Sequence, residues 1–331
     1  MRRRGRNSDT PGGGVSHGAF TLVELLISVV IVGIIGGAAA SLLYSYIGSF
    51  EQTSDYVTAR QRGESVLAIL ERPILHASLG IPESPDLVAT SMDYVTKADS
   101  VFQKAFTDSA GGPIINTWYH PVVTSSPDRS LEGAELRIVY AMPSGVVQKS
   151  GVYVSDASTF SLDLSGSGAP LVDVTAPSRA QLDSWITFPT LGFPLYVSGG
   201  TTTKEPRVQR PSSNTNSGFI AAYDELMYIR ALRAFITTDS NGSFFATEDV
   251  TAGSGSQKRI EGIRKLNFRF DPFTGVLNVS VLSQGNKRYS SEVAQSLAGW
   301  PASADVITSE DRHYRLAVTS AAWRLRNTAK P

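Results

Sequence analysis

Three hydrophobic patterns succeed one another along the chain. From Leu25 to Phe50 no residue is charged. A helix of that length crosses a hydrocarbon core of about 30 Å at about 1.5 Å per residue. From Glu51 to Arg72 the apolar residues become periodic. Val57, Leu67, Leu70 and Ile74 fall near helical spacing, Val66 and Ile69 widen the stripe, and Arg60, Gln61, Arg62 and Glu64 take the polar positions. This predicts one helix from Phe20, with an amphipathic continuation over residues 51–80. Pro73 is expected to kink or stop it, with Gly80 and Pro82 as final stop signals.

From Glu135 the period changes to two. Leu136, Ile138 and Tyr140 alternate with Glu135, Arg137 and Val139, which predicts a strand; Val152–Val154 and Phe160–Leu164 predict two more. Leu226–Ile236 and Ile260–Phe270 are strand-like. Asp271-Pro-Phe-Thr-Gly275 is a turn, and Leu277, Val279 and Val281 alternate after it, which makes a hairpin. In the last strand, Tyr314–Asn327, Leu316 and Val318 have the opposite parity to Trp323 and Leu325, so a bulge between them is expected. Asp93–Phe106 reads as a short helix between loops. Residues 169–218 lack periodicity and 198–217 are rich in Ser, Thr, Gly and Pro, so 169–218 reads as a loop or insertion. The fold class expected is α+β and pilin-like: one long N-terminal helix, half of it transmembrane, packed on an antiparallel β-sheet domain with an extra loop-rich β insertion, the whole domain spanning residues 81–331.

Charge orients the helix. Arg2, Arg3, Arg4 and Arg6 precede it against Asp9 alone, and Glu51 and Asp55 follow it before the first base, Arg60. The positive end is expected in the cytoplasm, with the rest facing outward. Gly33 and Gly37, extended by Ser41, have a small-xxx-small spacing that lets membrane helices approach closely, and Gly36 and Ala40 repeat it. The anomaly is Glu24, an acid at the edge of the apolar run. An ionisable group there is costly and needs a partner. A cut before Phe20 creates an ammonium on Phe20 and makes Glu24 the fifth residue. A neighbouring subunit shifted along a shared axis can bring its ammonium to that carboxylate, and the two buried charges neutralise each other.

The stretch Gly18-Ala-Phe-Thr-Leu-Val-Glu24 and the apolar run behind it resemble the class III signal of type IV prepilins and type II secretion pseudopilins. The resemblance implies that residues 1–19 are a leader, cut between Ala19 and Phe20 by a membrane prepilin peptidase that then methylates Phe20. Ala19 stands where most members have Gly. A cut between Gly18 and Ala19 is the alternative, but it makes Glu24 the sixth residue. Leu70–Pro82 is similar to the helix end of PilW-like minor pilins, with Arg72, Ile74, Ala77, Gly80, Ile81 and Pro82 fitting; Pro73 and Ser78 depart from the pattern. Ile260-Glu-Gly-Ile263, Leu266-Asn-Phe268, Arg312-x-Tyr-Arg315 and Leu325-Arg-Asn327 resemble PilW-like pilins and J-type pseudopilins alike.

The expectation is therefore a PilW-like minor pilin of a type IV pilus, with a J-type minor pseudopilin of type II secretion as the close alternative. The partners implied are the prepilin peptidase, major and minor pilins or pseudopilins, an inner-membrane assembly platform and lipid. The localisation implied is a single pass through the inner membrane with a periplasmic C-terminal domain. A plain secretory signal cut after Ala38-Ala39-Ala40 fits less well, because it leaves Glu24 and the length of the run unexplained.

Composition adds mainly exclusions. The 331 residues carry 30 basic and 30 acidic side chains, so no basic excess points to nucleic acid. With no cysteine there is no disulfide, Cys-ligated zinc or thiol nucleophile. His17, His76, His120 and His313 are dispersed, and no metal, cofactor or catalytic motif is expected. Asp239-Ser-Asn241-Gly-Ser reads as a turn rather than a calcium loop. Arg230, Arg233, Arg264, Lys265 and Arg269 read as a solvated sheet face. The contrasting class, a membrane-anchored periplasmic enzyme or binding protein, has no catalytic constellation to support it.

Overall fold

The computed structural model describes residues 21–77, 122–124, 131–155, 159–166, 185–191, 193, 195–200, 202, 204–210, 217–240, 242–249, 255–293 and 297–325. The chain divides into two units, residues 1–53 and 54–331, with the boundary inside the first helix. The short helix expected over Asp93–Phe106 lies outside the described residues.

Helix α1 runs Leu22–Leu75. Its first half is rich in Val, Ile and Gly, which are modest helix formers in water. In a hydrocarbon core, though, only a helix satisfies such a segment's backbone groups. Side chains from Leu22 to Thr53 are exposed throughout, Gly48 excepted, and none of the most apolar window is buried. In the second unit the helix buries Ala59, Gly63, Val66, Leu70 and Ile74, one face at spacings of three and four. Val57 and Ile69 were expected on this face but are exposed, and Ala59 and Gly63 take their place. Pro73 does not stop the helix at once. It sits in the last turn, which ends at Leu75 rather than at residue 80. Beyond it Ala77 bridges to Tyr140, and the Ala141 N–H donates to the His76 carbonyl at 3.2 Å.

Among the described residues the larger sheet has nine antiparallel strands, and β10 (Glu225–Asp239) is its spine. One edge of β10 pairs with β3 (Glu135–Val147), and β1 (Val122–Thr124) pairs with β3 beyond it. The other edge is shared. Met227 and Tyr228 pair with β6 (Trp185–Thr187), and Leu232–Asp239 pair with β11 (Gly242–Asp249), which is followed by β12 (Ser256–Glu261). Asp239 faces Gly242 at the hairpin end; Asn241, part of the expected turn, lies outside the described residues. Outward from β6 lie β7 (Leu195–Gly200), β8 (Pro206–Gln209) and β5 (Thr159–Ser161). β4 (Val152–Val154) and β9 (Gly218–Ile220) form a separate ribbon.

Within residues 169–218, expected as a loop or loop-rich β insertion, the described residues supply β6, β7 and β8. Trp185, Ile186 and Thr187 are all buried, as are Leu195, Tyr196 and Val197. Strands this short and buried on both faces show no alternation.

The second sheet runs β15–β14–β13–β2: β15 (Tyr314–Arg324), β14 (Val276–Arg288), β13 (Ile263–Asp271) and β2 (Glu132–Gly133). The run expected as one strand over Ile260–Phe270 breaks at Gly262, where φ is +72°. The bulge expected in the last strand is absent. Register holds from Leu316↔Gln284 to Arg324↔Val276 without a shift. The parity changes because both faces are used. Trp323 and Leu325 face the core with the helix, while Leu316 and Val318 pack with Leu297, Trp300 and Ile307 on the other side. The long connection between β14 and β15 holds a short helix, α2 (Ser309–Arg312).

Two main cores result. One joins Val66, Leu70 and Ile74 of α1 to Leu136, Ile138, Leu232, Ala234 and Phe245 of the larger sheet and to Leu266, Phe268, Val279 and Val281 of the smaller. The other gathers Val146, Leu164, Ile186, Phe188, Leu195, Val208, Leu226 and Tyr228. The even-numbered face of β10 crosses from the second core to the first, and Arg230 lies between, 5 % exposed, with its guanidinium 5.3 Å from the centre of the Tyr228 ring.

Candidate functional site

The N-terminal end of α1 is a reciprocal cap. The Thr21 N–H and hydroxyl both donate to Glu24 Oε2 at 3.0 Å, and the Glu24 N–H donates back to the Thr21 hydroxyl at 3.3 Å. This is a capping box of the Thr-x-x-Glu type, in which each side chain satisfies a backbone donor that helix geometry leaves without a partner. The Ser28 hydroxyl donates to the Glu24 carbonyl at 2.8 Å one turn on. Among the described residues, Oε1 of Glu24 accepts no hydrogen bond. One oxygen thus closes the helix end and the other stands open at the rim of an exposed apolar cylinder. The sequence carries the sign of this cap in the spacing of Thr21 and Glu24, a sign that reading Glu24 as a lone membrane carboxylate passes over.

Gly33 and Gly37 lie on one face of the helix, and a Cβ added at either meets nothing within 4 Å. Gly18, Ala19 and Phe20, the residues of the two candidate cleavage bonds, lie outside the described residues.

Further along, the helix is locked to the smaller sheet by contacts that sequence reasoning did not find. A Cβ on Gly63 would stand 2.9 Å from Thr319 Cβ and 3.3 Å from Ser283 Oγ. The Ser283 hydroxyl donates to the Ala59 carbonyl at 2.6 Å. Arg62 donates to the Gln284 carbonyl at 2.8 Å, to Glu261 Oε1 at 2.6 Å and to Asn286 Oδ1 at 2.7 Å. The Tyr289 hydroxyl donates to Asp55 at 3.0 Å, and a Cβ on Gly285 would lie 2.9 Å from the Asp55 backbone oxygen. Small residues at 59, 63 and 285 are what this approach requires.

The basic residues expected on a solvated face are mostly ion-paired or buried. Arg233 makes a two-point contact with Glu135 at 2.7 and 2.9 Å and reaches Glu248 at 3.3 Å. Burial works to raise the Glu135 pKa, but hydrogen bonds from Arg233 and Arg137 outweigh it and hold the carboxyl below its usual range. Arg264 donates to Asp311 at 2.7 Å. Asp311 is 4 % exposed. Burial again acts to raise its pKa, and the Thr308 and Arg264 hydrogen bonds prevail and lower it. Arg230 is buried and Arg269 is exposed. These pairs hold sheets together; they do not converge on a cavity. His76 is pushed below its ordinary value by burial and by Arg72. Among the described residues no group of three or more His, Asp or Glu is placed to hold a metal ion.

No curated protein and no solved structure matches the chain. A family model described as the prokaryotic N-terminal methylation motif matches residues 16–40, the segment that holds the Thr21–Glu24 cap and Gly33 and Gly37. That match supports a type IV pilin or pseudopilin, with processing by a prepilin peptidase and pilin-type partners, and it fits an anchor in the inner membrane.

Proposed function

We propose that this chain is a minor pilin of a type IV pilus, an initiating or tip subunit assembled through its N-terminal helix. The leader is cut between Ala19 and Phe20, Phe20 is methylated, and Glu24 receives a neighbour's N-terminal ammonium. The observation that carries this reading is the combination at the helix start: a methylation motif over residues 16–40, an apolar helix with no side-chain cover, and a carboxylate with one oxygen uncommitted. A charge at that place in lipid is disfavoured unless it is paired. The many-stranded outer part, with its two main cores, suits an end position better than a repeated shaft.

The J-type minor pseudopilin of a type II secretion system is the second reading, favoured by the same C-terminal residues, Ile260–Ile263 and Arg312–Arg315. Filaments sheared from cells and probed for this chain test the first. It is expected there at a small fraction of the major subunit. Its absence from sheared pili, with loss of enzyme secretion on deletion, would favour the second.

A further inference from the structure

The uncharged run is longer than a bilayer requires. Residues 25–50 make about 39 Å of helix at about 1.5 Å per residue. Fitting all of it into a hydrocarbon core of about 30 Å takes a tilt of about 40°, the extreme of what membrane helices show. Residues 25–43 make about 28 Å, which fits with little tilt.

The composition changes at the same point. Over residues 25–43 the only hydroxyl side chains are Ser28 and Ser41, and Ser28 turns its hydroxyl back to the Glu24 carbonyl. Over residues 44–49, Tyr44, Ser45, Tyr46 and Ser49 all carry one. Tyr44 and Tyr46 are 78 % and 70 % exposed, and among the described residues neither phenol has a hydrogen-bond partner. Two residues along a helix turn it by about 200°, so the two rings stand on opposite sides. A stripe packed on one neighbour would repeat at three and four residues instead. Rings set around the helix, each with an apolar body and a polar tip, fit the layer where hydrocarbon gives way to headgroups.

We propose that Tyr44 and Tyr46 seat in the phospholipid headgroup layer of the outward-facing leaflet, that residues 25–43 are the hydrocarbon span, and that residues 47–53 stand outside it. Glu24 then marks the opposite boundary, about 30 Å along the axis from Tyr44. Sliding the helix one way drives Glu24 into hydrocarbon, and sliding it the other way drives the phenol hydroxyls there, so the two ends fix one depth. That the helix sits in a membrane at all rests on the proposed function; the place of its outer boundary rests on the length of the run and on the two rings.

The test uses the full-length chain in vesicles of phosphatidylethanolamine with a minor share of phosphatidylglycerol. A nitroxide is attached at one introduced cysteine, since the chain has none of its own. Labels at Ile34→Cys and Leu42→Cys are expected to meet dissolved oxygen and to be shielded from a water-soluble nickel chelate. Labels at Ile47→Cys and Phe50→Cys are expected to collide with the chelate at least tenfold more often. Tyr44→Leu with Tyr46→Leu is expected to carry the boundary out towards Phe50 and to shield the label at Ile47→Cys, while the outer unit melts as the parent does. Tyr44→Trp with Tyr46→Trp is expected to keep the boundary where it is. Shielded labels at Ile47→Cys and Phe50→Cys in the parent, or an unmoved boundary in the double leucine variant, would overturn the proposal. Free access of the chelate to Ile34→Cys would mean that there is no span, and would strike the membrane-anchored reading as well.

Discussion

Glu24→Ala is expected to leave leader removal intact and to abolish incorporation into the filament. On the proposed reading the cut lies between Ala19 and Phe20, ahead of Glu24, while the carboxylate acts only when a neighbour arrives. Without it, that neighbour's ammonium is buried with no counter-charge. Breaking such a pair costs about 3–5 kcal/mol, which corresponds to at least a hundredfold loss of assembly. Glu24 also caps its own helix through Thr21, and loss of a cap costs only about 1 kcal/mol. Glu24→Gln separates the two roles. A glutamine keeps the cap, because Gln serves at this position of a capping box, but it carries no charge. The pairing account predicts that Glu24→Gln fails as Glu24→Ala does, read as the ratio of chain in sheared filaments to chain in membranes. If the glutamine variant assembles normally, the cap is the function of Glu24 and the pairing account is wrong.

Gly63→Leu is expected to lower the melting temperature of the outer unit more than any surface change. A leucine restores about 1 kcal/mol of helix propensity. Against that, its first carbon already lies within 2.9 Å of Thr319 Cβ and 3.3 Å of Ser283 Oγ, and the remaining atoms have no space. Overpacking of this kind costs about 1–3 kcal/mol or more. Sliding the helix away also weakens the Ser283 bond to Ala59 and the Arg62 contacts with Gln284, Glu261 and Asn286. A net loss of about 3 kcal/mol corresponds to a fall of about 6–12 °C. Gly48→Leu is the control, because a Cβ there meets nothing within 4 Å. Thr319→Ala in the Gly63→Leu background is expected to recover part of the loss. An unchanged melting temperature for Gly63→Leu would mean that the helix does not sit on β15 as described.

How much of this was legible depended on how far each signal was local. The apolar run needed only the absence of charge from Leu25 to Phe50. The β13–β14 hairpin was legible because Leu266, Phe268 and Phe270 face a core while Arg269 does not, with a turn at Asp271–Gly275 between the strands. The place of each strand within 169–218 was not legible: Trp185–Thr187 and Leu195–Val197 are buried on both faces, so burial left no alternation to read. The last strand misled for a related reason. Leu316 and Trp323 serve different cores on opposite faces, and a bulge was invoked where two-sided burial sufficed. Gly63 was invisible because its smallness answers to Thr319, more than 200 residues away. The candidate site divides in the same way. Glu24 and its spacing to Phe20 stood in the motif. The open Oε1 depends on both Thr21 donors turning to Oε2, which is geometry and not sequence.

The measurement that tests the central claim most directly is the mature N-terminus, read by intact mass and N-terminal peptide mass spectrometry of membrane-extracted protein. The account predicts a chain that begins with methylated Phe20 and has Glu24 as its fifth residue. An intact Met1, or a start after Ala38-Ala39-Ala40, would contradict it, because neither makes Glu24 the fifth residue from a free ammonium.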